Sequence, residues 1–433
     1  MANNSKGRFY GRGHRKITIS ESDLDSLSDS TLKNFLDGIK SKHTSNRYTR
    51  ILHDQLMNVF DEFLKGSFEN RCNQICDLAI KDNKKVNQLI RTHVRKLKER
   101  TELNPKDDNY LNPSSVSNLI KPIKKLFAMN DVPFSWKGVN SMLPDVAKVS
   151  FTKTRGYNKE EIRKMLPHCI GSIERGILLT LCSSGMRIGT LPGLTWEDIT
   201  PIYKIDGKFK PIDEILESEF SRAQLSCAVV VIYKGSSSEG FAFITPEAYE
   251  ALQEWKIDYK VDIGHTPKES DVVFKKQGYF ARPTNEASIS KRINNMVRKS
   301  GIFSGKLPDG VRRREIPKTN GFRYFFNQVI KNTASQDSKL ATLIKTEFMM
   351  NHTGLAQHDR NYFKVNLMEL VSEYVKSIPE LTISKEMEAQ QEIISKQKKI
   401  EDLERSNNET IQELNERISK LENIVLKDRF NNL

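Results

Sequence analysis

A run of β-branched and aromatic residues, Cys227-Ala-Val-Val-Val-Ile-Tyr-Lys234, leads into the turn-forming cluster Gly-Ser-Ser-Ser-Glu-Gly240 and then a second run, Phe-Ala-Phe-Ile-Thr245. Two such runs around a Gly/Ser cluster predict a β-hairpin, here with a mobile tip. Most of the other apolar residues recur at helix spacing. This confines the chain to a mainly α fold with a small β-hairpin or three-stranded sheet.

Before the hairpin, residues 30–148 read as an all-helical unit. Ile51, Leu56, Val59, Phe60 and Phe63-Leu64 lie on one helical stripe, and Val86, Leu89-Ile90, Val94 and Leu97 on another. A third helix starts at Asn112-Pro-Ser-Ser and carries Val116, Leu119-Ile120, Ile123 and Leu126-Phe127, with Lys121, Lys124 and Lys125 on its polar side. Those lysines suit either phosphate contact or an ordinary solvated face. Periodicity lapses between Asp145 and Tyr157, which places a linker there. Asn158, with Glu161 three residues on, is the signature of a capping box opening the next unit. Helices are expected over 160–166 and 173–183, then strands, then helices over 246–259, 287–297, 320–330, 340–350 and 367–378. The second unit, 155–380, is therefore α+β.

At 433 residues, several domains are expected. Lys+Arg 69 against Asp+Glu 55 gives a net charge of +14, which favours a polyanionic partner, nucleic acid first. Residues 1–29 read as a basic flexible tail, with a DNA-contacting arm as the sharper alternative. The five scattered cysteines indicate a reducing compartment. Cys72 and Cys76 have no second ligand pair at zinc spacing, so no metal is expected. No run approaches the ~18 apolar residues of a membrane span, so the expectation is a soluble, cytoplasmic protein without a membrane partner.

Residues 385–427 lack proline and glycine. Ile411, Leu414, Ile418, Leu421 and Val425 keep spacings of three and four, and Ile393, Ile400 and Leu403 continue the seam upstream, interrupted by Asn407. This predicts a coiled coil, with a single helix folded back on the body as the alternative. The pattern alone does not set the strand number or the partner.

Chemistry concentrates in three segments. Ser184-Gly-Met-Arg187-Ile-Gly-Thr-Leu follows an apolar helix, so its glycine break presents Arg187 at a helix edge. Asn320-Gly-Phe-Arg323 opens a later helix, and Met350-Asn-His352-Thr-Gly-Leu precedes Tyr362 by a short interval. Taken alone, each of these residues is an ordinary surface or packing residue; their order carries the weight. The first block resembles the leading arginine motif of the tyrosine recombinases, the phage-integrase family. The second is similar to that family's HxxR motif, with Asn320 in place of histidine. The third is similar to its G-H-S/T motif, with Asn351 in place of glycine, and Tyr362 stands at the nucleophile position. Archaeal-type integrases look most similar.

The chemistry can be argued from the residues as well. A phenol with pKa near ~10 is about a thousandth ionised at neutral pH, so Tyr362 needs a base or a cationic field to attack. Arg187 and Arg323 can each grip non-bridging phosphate oxygens through paired hydrogen bonds and offset charge in the transition state. Asn320 can donate a hydrogen bond but cannot exchange protons as imidazole does. The leaving oxygen needs a proton, for which Lys234 at the hairpin is the candidate and Lys208 a weaker rival. His352 either bonds a phosphate oxygen, accepts the Tyr362 proton or caps a helix. His358 reads as a loop residue and Tyr374 as a packing residue.

The resemblance implies a helical core-binding domain, a catalytic domain and a 3′-phosphotyrosyl intermediate on double-stranded DNA. It implies no cofactor, and a homo-oligomer that is tetrameric on paired sites. A site-specific recombinase or integrase of a mobile element is the leading expectation. A type IB topoisomerase-like enzyme and a DNA-binding regulator on a decayed recombinase scaffold are the alternatives.

Overall fold

The computed structural model describes residues 30–145, 154–236, 238–303, 314–333, 346–350 and 366–431, with side chains for all of these except 398, 402 and 421–431. The expected basic tail, most of the expected linker and most of the helix expected over 340–350 lie outside the described residues. The chain divides into two compact units, whose described residues fall before and after position 150.

The first unit contains α1 (Thr31–Asp37), α2 (Lys42–Asp54), α3 (Phe68–Lys81), α4 (Asn83–Glu102) and α5 (Pro113–Met129). Each starts at a polar N-cap whose side chain accepts a first-turn backbone N–H: Ser30, Ser41, Ser67, Asp82 and Asn112 in turn. Each such cap is worth about 1 kcal/mol. Pro113 sits at the first position of α5, where its missing N–H costs nothing. Phe35, Leu52, Leu56, Ile75, Ile90, Val94, Ile123 and Phe127 form the core. Cys72 and Cys76, one turn apart on α3, are buried in it, and burial pushes both thiols up to about 12. They are inert packing groups.

The end of α2 widens into a π-helical turn, Gln55–Val59, which frees carbonyls from the usual ladder. Arg71 of α3 takes them up. Its guanidinium donates to the Leu56 carbonyl at 2.9 Å and the Gly66 carbonyl at 3.0 Å, and reaches the Asp61 carboxylate at 2.8 Å. On α5, Lys121 donates to the Asn118 side chain, and the Lys124 ammonium lies 5.8 Å from the Trp136 ring centroid.

The second unit opens with the expected capping box at Asn158 and Glu161, leading α6 (Lys159–Met165). Tyr157, placed at the linker's end by the sequence, is instead core: it is 2% exposed and donates its hydroxyl to the Lys318 carbonyl at 2.9 Å. The central element is α7 (Gly171–Ser184), whose residues are buried continuously from Gly176 to the end. A helix apolar all round must be covered on every side. Around it lie β1 (Ile199–Ile205), β2 (Lys208–Pro211), β3 (Gln224–Ile232), β4 (Gly240–Ile244), α8 (Pro246–Ile263), α9 (Glu286–Lys299), α10 (Asn320–Thr333) and α11 (Leu367–Val375). The long α12 (Lys385–Asn431) follows.

The hairpin is present, with Val230 opposite Ala242, and the whole sheet is antiparallel in the order β2-β1-β3-β4. It has four strands where a hairpin or three strands were expected. The extra pair, β1 and β2, turns through Asp206-Gly207, both with positive φ (47° and 84°). A two-residue loop with both φ positive is the hairpin turn that asparagine, aspartate and glycine favour. β2 hides from pattern reading because it is four residues long, polar, and ends in Pro211, as edge strands do.

The root of α12 is fastened to the body. The buried Glu247 carboxylate of α8 accepts the N–H groups of Ile383 and Ser384 at 2.7 and 2.8 Å. Glu388 pairs with Lys159 at 2.5 Å and Arg163 at 2.7 Å. Burial pushes the Glu388 carboxyl up, but the two cations outweigh it and hold it below the usual range. Removing the Glu247 carboxylate strands two buried donors, each hydrogen bond to a charged group being worth ~1.5–3 kcal/mol. Glu247→Ala is therefore expected to lower the unfolding free energy by about 3 kcal/mol in urea denaturation. It should also abolish hydrogen-exchange protection of the Ile383 and Ser384 amides.

Candidate functional site

α7 ends at Gly185, which adopts φ +59° and returns its N–H to the Leu181 carbonyl. This left-handed C-cap favours glycine. A second constraint applies there, because an added Cβ would collide with the Phe326 ring of α10. The chain leaves the cap with Arg187 extended and exposed, ahead of a 3₁₀ stretch, Ile188–Gly193. Among the described residues the Arg187 side chain makes no hydrogen bond or ion pair.

Arg323 stands one turn into α10. Gly321, two residues earlier, lets the helix lie against the Tyr157 ring, which a Cβ would overlap at 2.6 Å. From that close packing the Arg323 guanidinium spans two segments. One Nη donates to the Gly185 carbonyl at 2.6 Å and the other to the Met350 carbonyl at 2.5 Å. Two of its five N–H groups are thus used on backbone, leaving three for a ligand. The fork ties the Arg187 loop to the strand of chain that leads toward His352.

Arg187, Arg323, Thr190, Tyr233, Met349 and Met350 are among the residues lining one small cleft. Burial first and the Arg187 charge second bring the Arg323 pKa down to about 10, so its guanidinium stays charged at neutral pH. Two like charges held together and partly out of water are relieved by an anion between them. The cleft encloses only about 10 Å³, and the two guanidiniums bring to its rim planar donors of the kind that phosphate oxygens accept from.

Lys234 lines a neighbouring cleft of about 270 Å³ that shares Thr190 and Tyr233 with the first. Its ammonium bonds Glu197 at 3.0 Å and lies 3.6 Å from Asp198. Hydrogen bonding to Glu197 raises the Lys234 pKa above its ordinary value. Lys208, the rival candidate, is an exposed residue at the start of β2. Asn320 is exposed on the first turn of α10, three residues before Arg323, and its side chain makes no hydrogen bond among the described residues. His352, His358 and Tyr362 lie outside the described residues. Tyr374 is a packing residue: it is fully buried, stacks on Phe243 at 5.2 Å, and donates its hydroxyl to the Ser183 carbonyl at 2.9 Å.

The sequence reading passed over Tyr233. It follows the last residue of β3 with φ +55°, a costly conformation for an aromatic residue, and its hydroxyl accepts from Thr190 at 2.9 Å. That bond joins the hairpin to the Arg187 loop. A tyrosine closing a β-branched run carries no signal of this in sequence.

The two arginines should separate in a stability measurement. Arg323→Ala leaves two carbonyls without their charged donor and is expected to cost about 3 kcal/mol in urea denaturation. Arg187→Ala removes no hydrogen bond or ion pair among the described residues and should change stability by less than about 0.5 kcal/mol. For Lys234 the sign follows from its carboxylate neighbour, which favours the ammonium. Glu197→Gln is expected to move the Lys234 titration, followed by NMR of its side chain, to lower pH.

No family model and no curated protein matches the chain. Solved structures do. The chain is similar to XerA recombinase, with 16% identity, a TM-score of 0.30, and coverage of 80% of this chain and 97% of that one. It is similar to a lambda integrase dimer bound to a COC′ core site, with 11% identity, a TM-score of 0.44, and coverage of 78% and 99%. It is also similar to the Tn1549 transposon integrase in complex with transposon right-end DNA, with 15% identity, a TM-score of 0.43, and coverage of 79% and 98%. These three structures are of a recombinase and two integrases.

Proposed function

We propose that the chain is a site-specific tyrosine recombinase that cleaves and rejoins double-stranded DNA through a 3′-phosphotyrosyl intermediate. The observation that carries this reading is the convergence of Arg187 and Arg323 on one cleft, from segments 136 residues apart in sequence. In the proposed reaction the two guanidiniums hold the non-bridging oxygens of the scissile phosphate. Asn320 adds a neutral donor from the turn before Arg323. Tyr362 attacks phosphorus as its phenolic proton passes to His352, and the phosphorus bond to the 5′ oxygen breaks.

Lys234 delivers the proton that lets this oxygen leave as a hydroxyl. For this it must leave Glu197, and the raised pKa keeps it protonated until it does. Attack by a 5′ hydroxyl on the phosphotyrosine reverses the sequence. The bond energy stays in the covalent link, so neither hydrolysis nor a nucleotide is called for.

Exposed Arg187 suits this reading better than an architectural one. An arginine at a helix edge without a protein partner among the described residues costs nothing to the fold and is free for a phosphate. The test is a nicked suicide substrate carrying the element's own end sequence. Wild type is expected to accumulate a covalent protein–DNA species, Arg187→Ala to form it at least 10²-fold more slowly, and Tyr362→Phe to form none. Tight binding with no covalent species from any fragment would overturn the enzyme reading in favour of a regulator.

A further inference from the structure

α12 runs for 47 residues, about 70 Å at 1.5 Å per residue, and its seam is uncovered. Ile393, Ile400, Leu403, Ile411, Leu414 and Ile418 are each more than half exposed. The helix does not fold back over them within the described residues. Its root, by contrast, is held by Glu247, Lys159 and Arg163.

We infer that α12 pairs with α12 of a second copy of this chain as a parallel, in-register, two-stranded coiled coil. The residue types at the seam choose the strand number. Taking Ile393 as position a, Ile400 and Asn407 are also a and Leu403 is d. The d position of the first heptad is Lys396, which pairs with Glu392 at 2.7 Å, so the apolar seam is continuous from Ile400 onward apart from Asn407. After a four-residue step the register resumes with Ile411 and Ile418 at a and Leu414 at d, and the sequence continues with Leu421 and Val425. β-branched residues at a with leucine at d favour two parallel strands, and a single asparagine at a fixes register. The four-residue step is a stutter, which unwinds the supercoil locally without moving the seam off the partner.

Charge chooses the direction. Position g holds Lys399 and position e of the next heptad holds Glu404; further on, the sequence places Arg417 at g and Glu422 at the following e. In a parallel pair g faces e of the partner, so opposite charges meet in both heptads. In an antiparallel pair e faces e and g faces g, so cation would face cation and carboxylate face carboxylate. Neither Lys399 nor Glu404 is engaged elsewhere among the described residues, whereas Lys396 pairs with Glu392 and Arg405 with Glu409 along the same helix. The pairing is independent of the proposed chemistry and needs no DNA.

The experiment is light scattering on the full chain without DNA, whose protomer mass is 49.8 kDa. A dimer mass is expected. Ile411→Asp with Ile418→Asp should give the monomer with an unchanged thermal transition of the body, since both positions are exposed. Lys399→Glu should weaken dimerisation at least ten-fold, and adding Glu404→Lys should restore it. Leu414→Cys should form a disulfide with itself in the parallel arrangement. A monomeric wild type at about 50 μM, a trimer or tetramer mass, a dimer that survives the double aspartate variant, or Leu414→Cys dimers that do not crosslink would each overturn the inference.

Discussion

The Arg323 guanidinium holds together what the rest of the second unit only brings near. Its two Nη atoms reach the Gly185 carbonyl, at the end of the central helix, and the Met350 carbonyl, at the entry to the His352 segment. Both acceptors are backbone, so the fork fixes the path of the chain whatever side chains follow. The burial that pulls its pKa down to about 10 also removes competing water, which strengthens those two bonds. A lysine would offer a single point of attachment and could not bridge the two carbonyls in one plane.

Around that strut the local conformations leave Arg187 exposed. Gly185 accepts positive φ and leaves room for Phe326, Gly321 lets α10 approach Tyr157, and Tyr233 takes positive φ to bond Thr190. The outcome is an exposed guanidinium beside a half-buried one. The half-buried arginine spends two of its N–H groups on backbone carbonyls, and the exposed one spends none on side-chain or backbone partners among the described residues. Lys234 stands aside, paired with Glu197 at the edge of the same hairpin.

Much of the architecture was legible because it is written in short-range physics. The Asn158–Glu161 capping box, the Val86–Leu97 stripe and the β3–β4 hairpin follow from capping and apolar period, whereas Val59 and Phe63, read on the first stripe, are exposed beyond the end of α2. The β1–β2 hairpin was missed because Asp206-Gly207 joins a strand to a four-residue polar edge whose pairing depends on β3 across the sheet. Tyr157 was read as linker for a related reason. Its burial comes from Phe322 and Lys318, more than 160 residues away.

Order along the chain determined which residues are chemically suited to a phosphodiester: two arginines, a hairpin lysine, an amide, a histidine and a late tyrosine. It also set the seam of α12, since spacing and residue type are properties of one helix. Tertiary structure decided what each group does in the folded chain. Arg323 ties two backbone segments together, Lys234 is held by a carboxylate, and Tyr374 is spent on the Ser183 carbonyl. The physical reason is that donor satisfaction and burial are settled by neighbours brought from distant segments, and no local pattern records which neighbour arrives.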